Sequence, residues 1–176
     1  PCGTLFPYTT LFRSVVQVAS NSSSSGGGGG GYTTSYESSS SVNTAVSIPA
    51  SGEVASYAAQ FVGYPYVYGG ASPGSGFDCS GLVQYVYRQY GVYLPRVAAA
   101  QYSTAYGAAV GSMSNLAPGD LMFFAGTAGP GISHVAIYIG GGSMVHAMTP
   151  SLGVGVSNIW EGFWVSHYYG AIRPYR

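Results

Sequence analysis

Hydrophobic positions along the chain change their period once, and the change separates two structural regimes. Val54, Tyr57, Ala58, Phe61 and Val62 recur at i, i+3, i+4, i+7 and i+8, the spacing of one face of an α-helix. Ser51 stands where a cap would start this helix and Gly63 where it would stop. Helical spacing returns over residues 80–90, with Leu82, Val83, Val86 and Tyr90 on one stripe and Gly91 as terminator, and a shorter helix is expected over 98–106. Between the first two helices, residues 63–78 are too rich in Gly and Pro for regular structure and carry Tyr64, Tyr66 and Tyr68, so they read as a loop over a site. After NLAPGD, residues 115–120, alternation of period two predicts strands over 121–124, 134–139, 143–148 and 164–172. Helices followed by a run of strands indicate an α+β domain, with the N-terminal helices packed on one face of a central antiparallel sheet.

Composition narrows what such a domain does. The 176 residues hold one core with some tail. Charged residues are 6% of the chain, five arginines balance five acids, and lysine is absent, so nothing here attracts nucleic acid electrostatically. Mean hydropathy is +0.21, but Gly, Ser and Pro interrupt every apolar run before the ~18 residues of a membrane span. Aromatic residues supply much of the apolar content, with 17 Tyr, 7 Phe and 2 Trp, which suits a β-rich domain with an aromatic-lined surface.

The N-terminal part contributes little to a fold. TLFPYTTLFRS, residues 4–14, looks like a translated sequencing adapter, and residues 1–14 are set aside on that ground, Cys2 with them. A basic start, apolar core and small-residue cleavage site are not found there, so an export signal is expected upstream of Val15, in an N-terminal region missing from this chain. Residues 15–50 read as a flexible Ser/Gly-rich linker with six consecutive glycines from Gly26 to Gly31, a composition that buries too little apolar surface to offset its ordering entropy. The folded domain is expected over residues 51–176.

With Cys2 set aside, Cys79 is the one remaining cysteine. It falls in the first turn of a predicted helix behind a glycine-rich loop, where unpaired N–H groups and the helix dipole are expected to lower its pKa. A cysteine nucleophile needs a base, and the histidines are His134, His146 and His167. If Gly140, Gly141 and Gly142 form a three-residue turn centred on Gly141, His134 opposes Met148 and His146 opposes Ala136. The two rings then share a face as diagonal neighbours ~7–8 Å apart at Cα. A two-residue turn would place them on opposite faces.

FDCSGLVQYVY at 77–87, LPR at 94–96, APGDLMFF at 117–124, SHVAIYIGGG at 133–142 and MVHA at 144–147 together resemble the NlpC-type cysteine peptidases, in order and in spacing, over residues 51–176. The resemblance implies a papain-like α+β fold and hydrolysis of peptidoglycan stem peptides, commonly between D-γ-glutamate and a diamino acid. It implies Cys79 as nucleophile, His134 as general base and His146 as the polar residue that orients it. It also implies Asp78, Ser80 and Tyr68 as contacts to the free amino end of a stem peptide, and a secreted or wall-associated enzyme. The local papain signature around the cysteine is absent, so ordinary protein substrates are not implied.

Plainer roles compete for some of these residues. Asp78 is also placed as an N-cap, a role compatible with substrate contact. Arg96 reads as a stabiliser of the neighbouring loop, Asp120 as turn chemistry, and His167 as a structural histidine with reserve claim to the third position. Cys79, His134 and His146 lack the short ligand spacings of a zinc site, and no cofactor is implied. Two other functions fit the pattern: a catalytically silent wall-binding module, and an amidase or acyltransferase on the same Cys-His arrangement.

Overall fold

A computed structural model describes residues 51–175. The adapter-like start, Cys2 and the Ser/Gly-rich linker lie outside the described residues. The first helix, α1 (Ser51–Ala59), gives way to tight turns in which the Gln60, Phe61 and Val62 N–H groups bond three residues back. Its expected stripe is buried at Val54, Ala58 and, in the turns beyond the helix, Phe61, but Val62 is exposed. The loop after Gly63 contains one small hairpin, β1 (Ala71–Ser72) with β2 (Gly76–Phe77), a regularity the glycine content concealed.

Helix α2 (Cys79–Arg88) buries Leu82, Val83, Val86 and Tyr87, and closes near Gly91, whose φ of 76° is one that glycine adopts freely. Tyr87 rather than Tyr90 completes the buried face, and its hydroxyl donates to Gly119 O. The expected helix at 98–106 is a single turn, α3 (Ala98–Gln101), after which the chain leaves for β3 (Gly107–Val110), a strand without the alternating pattern that would have announced it.

The sheet is antiparallel with six strands in the order β3-β8-β4-β5-β6-β7. Strands β4 (Leu121–Ala125), β5 (Ile132–Gly140) and β6 (Ser143–Thr149) fall where alternation placed them. The edge strand β7 (Gly153–Asn158) was not expected, since its apolar positions are interrupted by glycine. The expected strand at 164–172 divides: Gly162–His167 is a short helix, α4, and β8 begins only at Tyr168 and runs to Pro174.

One sheet face meets α1, α2 and α3 through Leu121, Phe123, Val135, Ile137, Val145 and Ile172. The other carries Met122, Phe124, Ala136, Met144 and Ile159, covered by Trp164 of α4 and by Tyr168. The α+β, papain-like arrangement is therefore as expected for α1 to α3, while α4 covers the opposite face. No helix among the described residues is long and apolar enough to cross a membrane. Asp120 is buried, accepts from Ala117 N–H within its turn, and pairs in two-pronged fashion with Arg173 of β8 at 2.8 Å. The turn residue thus also ties the last strand to the turn that leads into β4.

Candidate active site

Cys79 opens α2, and the chain around it is shaped by the Asp78 carboxylate. Asp78 caps the helix by accepting from Gly81 N–H at 2.7 Å. It also accepts from Gly69 N–H at 2.9 Å, which draws the tyrosine-bearing loop against the helix start. Arg96 closes a two-pronged pair on it at 2.9 and 2.6 Å and donates to Ser80 Oγ at 3.0 Å. Burial pushes the Asp78 carboxyl up, but Arg96 and the backbone donors outweigh it and hold the group below its ordinary value. Gly81 has to be glycine here, since a Cβ would lie 2.0 Å from Gly70 O. Gln101, fully buried, donates to Ser80 O and Pro95 O. Arg96 thus holds both the loop, through Gly70 O, and the residues flanking the thiol. Tyr68 is 90% exposed on that loop.

The histidines approach from the sheet. Ile137 opposes Val145 and Tyr138 opposes Met144, which is the register of a three-residue turn centred on Gly141. It is reached by another construction: Gly140 pairs with Ser143 across a two-residue turn, and a bulge between Tyr138 and Gly140 restores the offset. Gly141 and Gly142 have φ of 60° and 73°, as a turn with two left-handed positions demands. His134 and His146 therefore share a face, with His134 Nε2 2.8 Å from His146 Nδ1. His146 Nε2 lies 3.0 Å from Ser157 Oγ on β7.

That face is opposite to the one α2 covers, while Cys79 packs against the core on the α2 side. The β5–β6 pairing stops at Ile137–Val145, so the strands part beside His134 and His146. Tyr138 N–H bonds to Asp120 O on the β4 side, and backbone direction alternates along a strand, so Val135 presents its N–H to the opening between β5 and β6. That N–H favours the ionised form of the Cys79 thiol. The end of one hydrogen-bond ladder thus leaves a backbone N–H of β5 without a strand partner on the β6 side.

The electrostatics differ from the expected low-pKa cysteine. Burial pushes the Cys79 thiol above its ordinary value; the N–H groups of Val135, Ser80 and Cys79 itself pull it down, but with Asp78 nearby they do not overcome burial. Burial likewise lowers His134 to about 4 and holds His146 well below the ordinary histidine value, with His134 adding to the latter. Each ionisation alone is opposed. Charges formed together on a thiol and an imidazole would attract one another and offset part of what burial costs.

Trp164, which sequence reasoning passed over as part of a strand, stacks on His134 at 5.5 Å and 28° and meets His146 edge-on at 4.9 Å. Ser157 was missed because β7 itself was. Its signal is faint: Gly155 and Ser157 are alternate residues beside His146 and Met144. His167 is elsewhere: its Nδ1–H donates to Phe163 O at 2.8 Å and its ring lies 4.3 Å from that of Phe163.

Comparison with known proteins agrees with this arrangement. Residues 63–173 match the family model described as the NlpC/P60 family. The chain is 44% identical over 117 residues to a gamma-DL-glutamyl hydrolase of Bacillus subtilis, covering 66% of this chain and 27% of that protein. It is 39% identical over 116 residues to the murein DD-endopeptidase MepH of Escherichia coli, covering 65% of this chain and 42% of the other. A solved NlpC/P60 family protein from Bacillus cereus superposes with a TM-score of 0.66 at 34% identity, over 73% of this chain and 41% of that one. The chain spans less than half the length of these relatives. A thiol at the start of α2 and a buried pair of bonded histidines on the sheet are carried on a chain that belongs to the NlpC/P60 family.

Proposed function

We propose that this chain is a secreted or wall-associated thiol peptidase that hydrolyses peptide bonds in peptidoglycan stems, with Cys79 as nucleophile, His134 as general base and His146 as its orienting partner. The observation that carries this reading is the 2.8 Å bond between His134 Nε2 and His146 Nδ1, which leaves His134 Nδ1 as the nitrogen for the thiol proton. The proton passes to Nδ1 as sulfur attacks the stem carbonyl. The oxyanion is met by N–H groups at the helix start, that of Cys79 included. His134 returns its proton to the departing amine, and water, deprotonated by the same ring, releases the acyl group.

Asp78, Ser80 and exposed Tyr68 flank the approach to the thiol and are proposed to receive the amino end of the stem peptide. The Asp78 carboxylate already accepts from Arg96 and two backbone groups, so we assign it the shaping of this subsite, with Ser80 Oγ and the Tyr68 hydroxyl as direct contacts. A cut on the carboxyl side of D-γ-glutamate is favoured by the name of the gamma-DL-glutamyl hydrolase relative.

Incubating the chain with purified peptidoglycan and analysing soluble muropeptides by mass spectrometry tests the reading. Fragments ending in D-glutamate that disappear with Cys79→Ser are expected. Binding to the wall without any released fragment would favour the silent binding module instead, and loss of the amide at the head of the stem would favour an amidase.

A further inference from the structure

We propose that Ser157 is a positioning residue of this site: its hydroxyl oxygen accepts the His146 Nε2 proton and so holds the His134–His146 pair in the one tautomer in which His134 can take a proton from the thiol. The inference rests on the proposed roles of Cys79 and His134. Both rings are buried and bonded end to end, His134 Nε2 to His146 Nδ1 at 2.8 Å and His146 Nε2 to Ser157 Oγ at 3.0 Å. Two neutral imidazoles so joined have two ways to place their protons. In one, His134 carries its proton on Nε2 and donates it to His146 Nδ1. His134 Nδ1 is then a free lone pair, and the His146 proton sits on Nε2, aimed at Ser157. In the other, every bond is reversed, His134 is protonated at Nδ1, and it has no lone pair left to face the thiol.

Only the first arrangement supplies a base, and it needs an acceptor at the far end. Ser157 Oγ is the hydrogen-bond partner of His146 Nε2 among the described residues. Without it, the productive tautomer leaves a buried N–H unpaired, which proteins rarely tolerate, whereas the reversed one leaves only a ring lone pair. Ser157 is half-buried on the outermost strand β7, so its own hydroxyl proton can turn to solvent while its oxygen accepts. As His134 becomes positively charged, its Nε2–H pulls harder on His146 Nδ1. The His146 Nε2–H then bonds more strongly to Ser157, since hydrogen bonds in series polarise one another. Position along the strand fits the role, because the residue directly opposite His146 is Gly155, which leaves the diagonal position to Ser157.

The test combines nitrogen NMR with kinetics on parent, Ser157→Ala and Ser157→Thr chains labelled with ¹⁵N-histidine. In the parent, both His134 and His146 are expected to carry the proton on Nε2 near neutral pH. Ser157→Ala is expected to lose that preference in both rings and to lower kcat about tenfold with KM nearly unchanged, as loss of one buried hydrogen bond predicts. Ser157→Thr keeps a hydroxyl and suits a strand, and is expected to restore both readouts. A parent whose His134 is protonated at Nδ1 overturns the proposal, and so does a Ser157→Ala spectrum with the parent tautomers. The parent spectrum stands even if the alanine variant fails to fold. Because tautomers are read without substrate, a chain inactive on peptidoglycan but with the expected spectra would sink the peptidase reading and leave in place only the tautomer that Ser157 holds.

Discussion

The thiol and the imidazole at this site are each disfavoured as lone ions, and substitutions at single residues should show that dependence. Cys79→Ser keeps the size of the side chain but raises the proton affinity of the nucleophile, so muropeptide release is expected to fall by ~10³-fold or more with an unchanged circular dichroism spectrum. His134→Ala removes the proposed base and is expected to cost roughly 10²–10⁴-fold. His146 needs only to accept one hydrogen bond from His134, and the oxygen of Asn or Gln can do that, so His146→Asn and His146→Gln should retain more activity than His146→Ala. His167→Ala, whose ring packs on Phe163 away from the pair, should be nearly silent. A further result separates the pair from a simply acidic thiol. Because burial raises Cys79, alkylation by iodoacetamide at pH 7 should be at least about tenfold slower in His134→Ala than in the parent, since the thiol must then ionise alone. Equal alkylation rates would mean that the thiolate owes nothing to His134.

At the scale of elements, the decisive feature is the β5–β6 hairpin, and it also shows what the sequence makes legible. The register that brings His134 to His146 follows from alternation and three consecutive glycines, and the structure holds it at Ile137–Val145 and Tyr138–Met144. The means are different, a two-residue turn plus a bulge, because a bulge is a local backbone event that leaves no mark on side-chain periodicity. Deleting Gly140 should remove the bulge while Ile139 takes the place opposite Ser143 and Tyr138 stays opposite Met144, so the histidines should still share a face and muropeptide release should survive. Gly141→Asn, at a φ of 60° with open space at its Cβ, should leave release nearly unchanged, since asparagine tolerates that conformation. The same distinction accounts for the elements missed. Strands β3 and β7 are short, edge-placed and rich in Gly or Ala, so no alternating apolar face marks them. In α4, Trp164 serves the sheet face from a short helix, and its apolar neighbours read as strand because the helix lacks even two full turns. The place of Cys79 at a helix start and of His134 beside His146 was legible because both follow from residue type and spacing. Ser157 and Trp164 were not, because their contribution lies in where a neighbouring element happens to pass.

Across the whole molecule, low charge turns this pair of histidines into the dominant pH-sensitive element of the fold. The chain has five acids, five arginines, no lysine and three histidines, so few other groups change charge between pH 4 and 6.5. His134 is lowered to about 4 in the folded state and His146 is well below its ordinary value, both by burial. The unfolded chain regains the ordinary affinity near 6.5. Between these values the unfolded state binds more protons than the folded one, and stability therefore rises with pH through that window. The contribution is complete above about pH 6.5 and is lost progressively as pH falls toward 4. Asp78, held below its ordinary value chiefly by Arg96 against the opposing effect of burial, adds its own loss only in the more acidic range where free carboxylates protonate. A drop in Tm on the order of 10 °C is expected between pH 7 and pH 4.5, given about 1.4 kcal/mol per unit of pKa and a few degrees per kcal/mol for a domain of this size. The double variant His134→Gln/His146→Gln keeps polar groups in the site but removes both titrations. Its Tm at pH 7 is expected to be lower than the parent's, yet nearly flat from pH 7 to 4.5 when followed by circular dichroism at matched ionic strength. If the double variant lost as many degrees over that interval as the parent, the pH sensitivity would belong to the carboxylates, and the burial of the two imidazoles would not be what sets it.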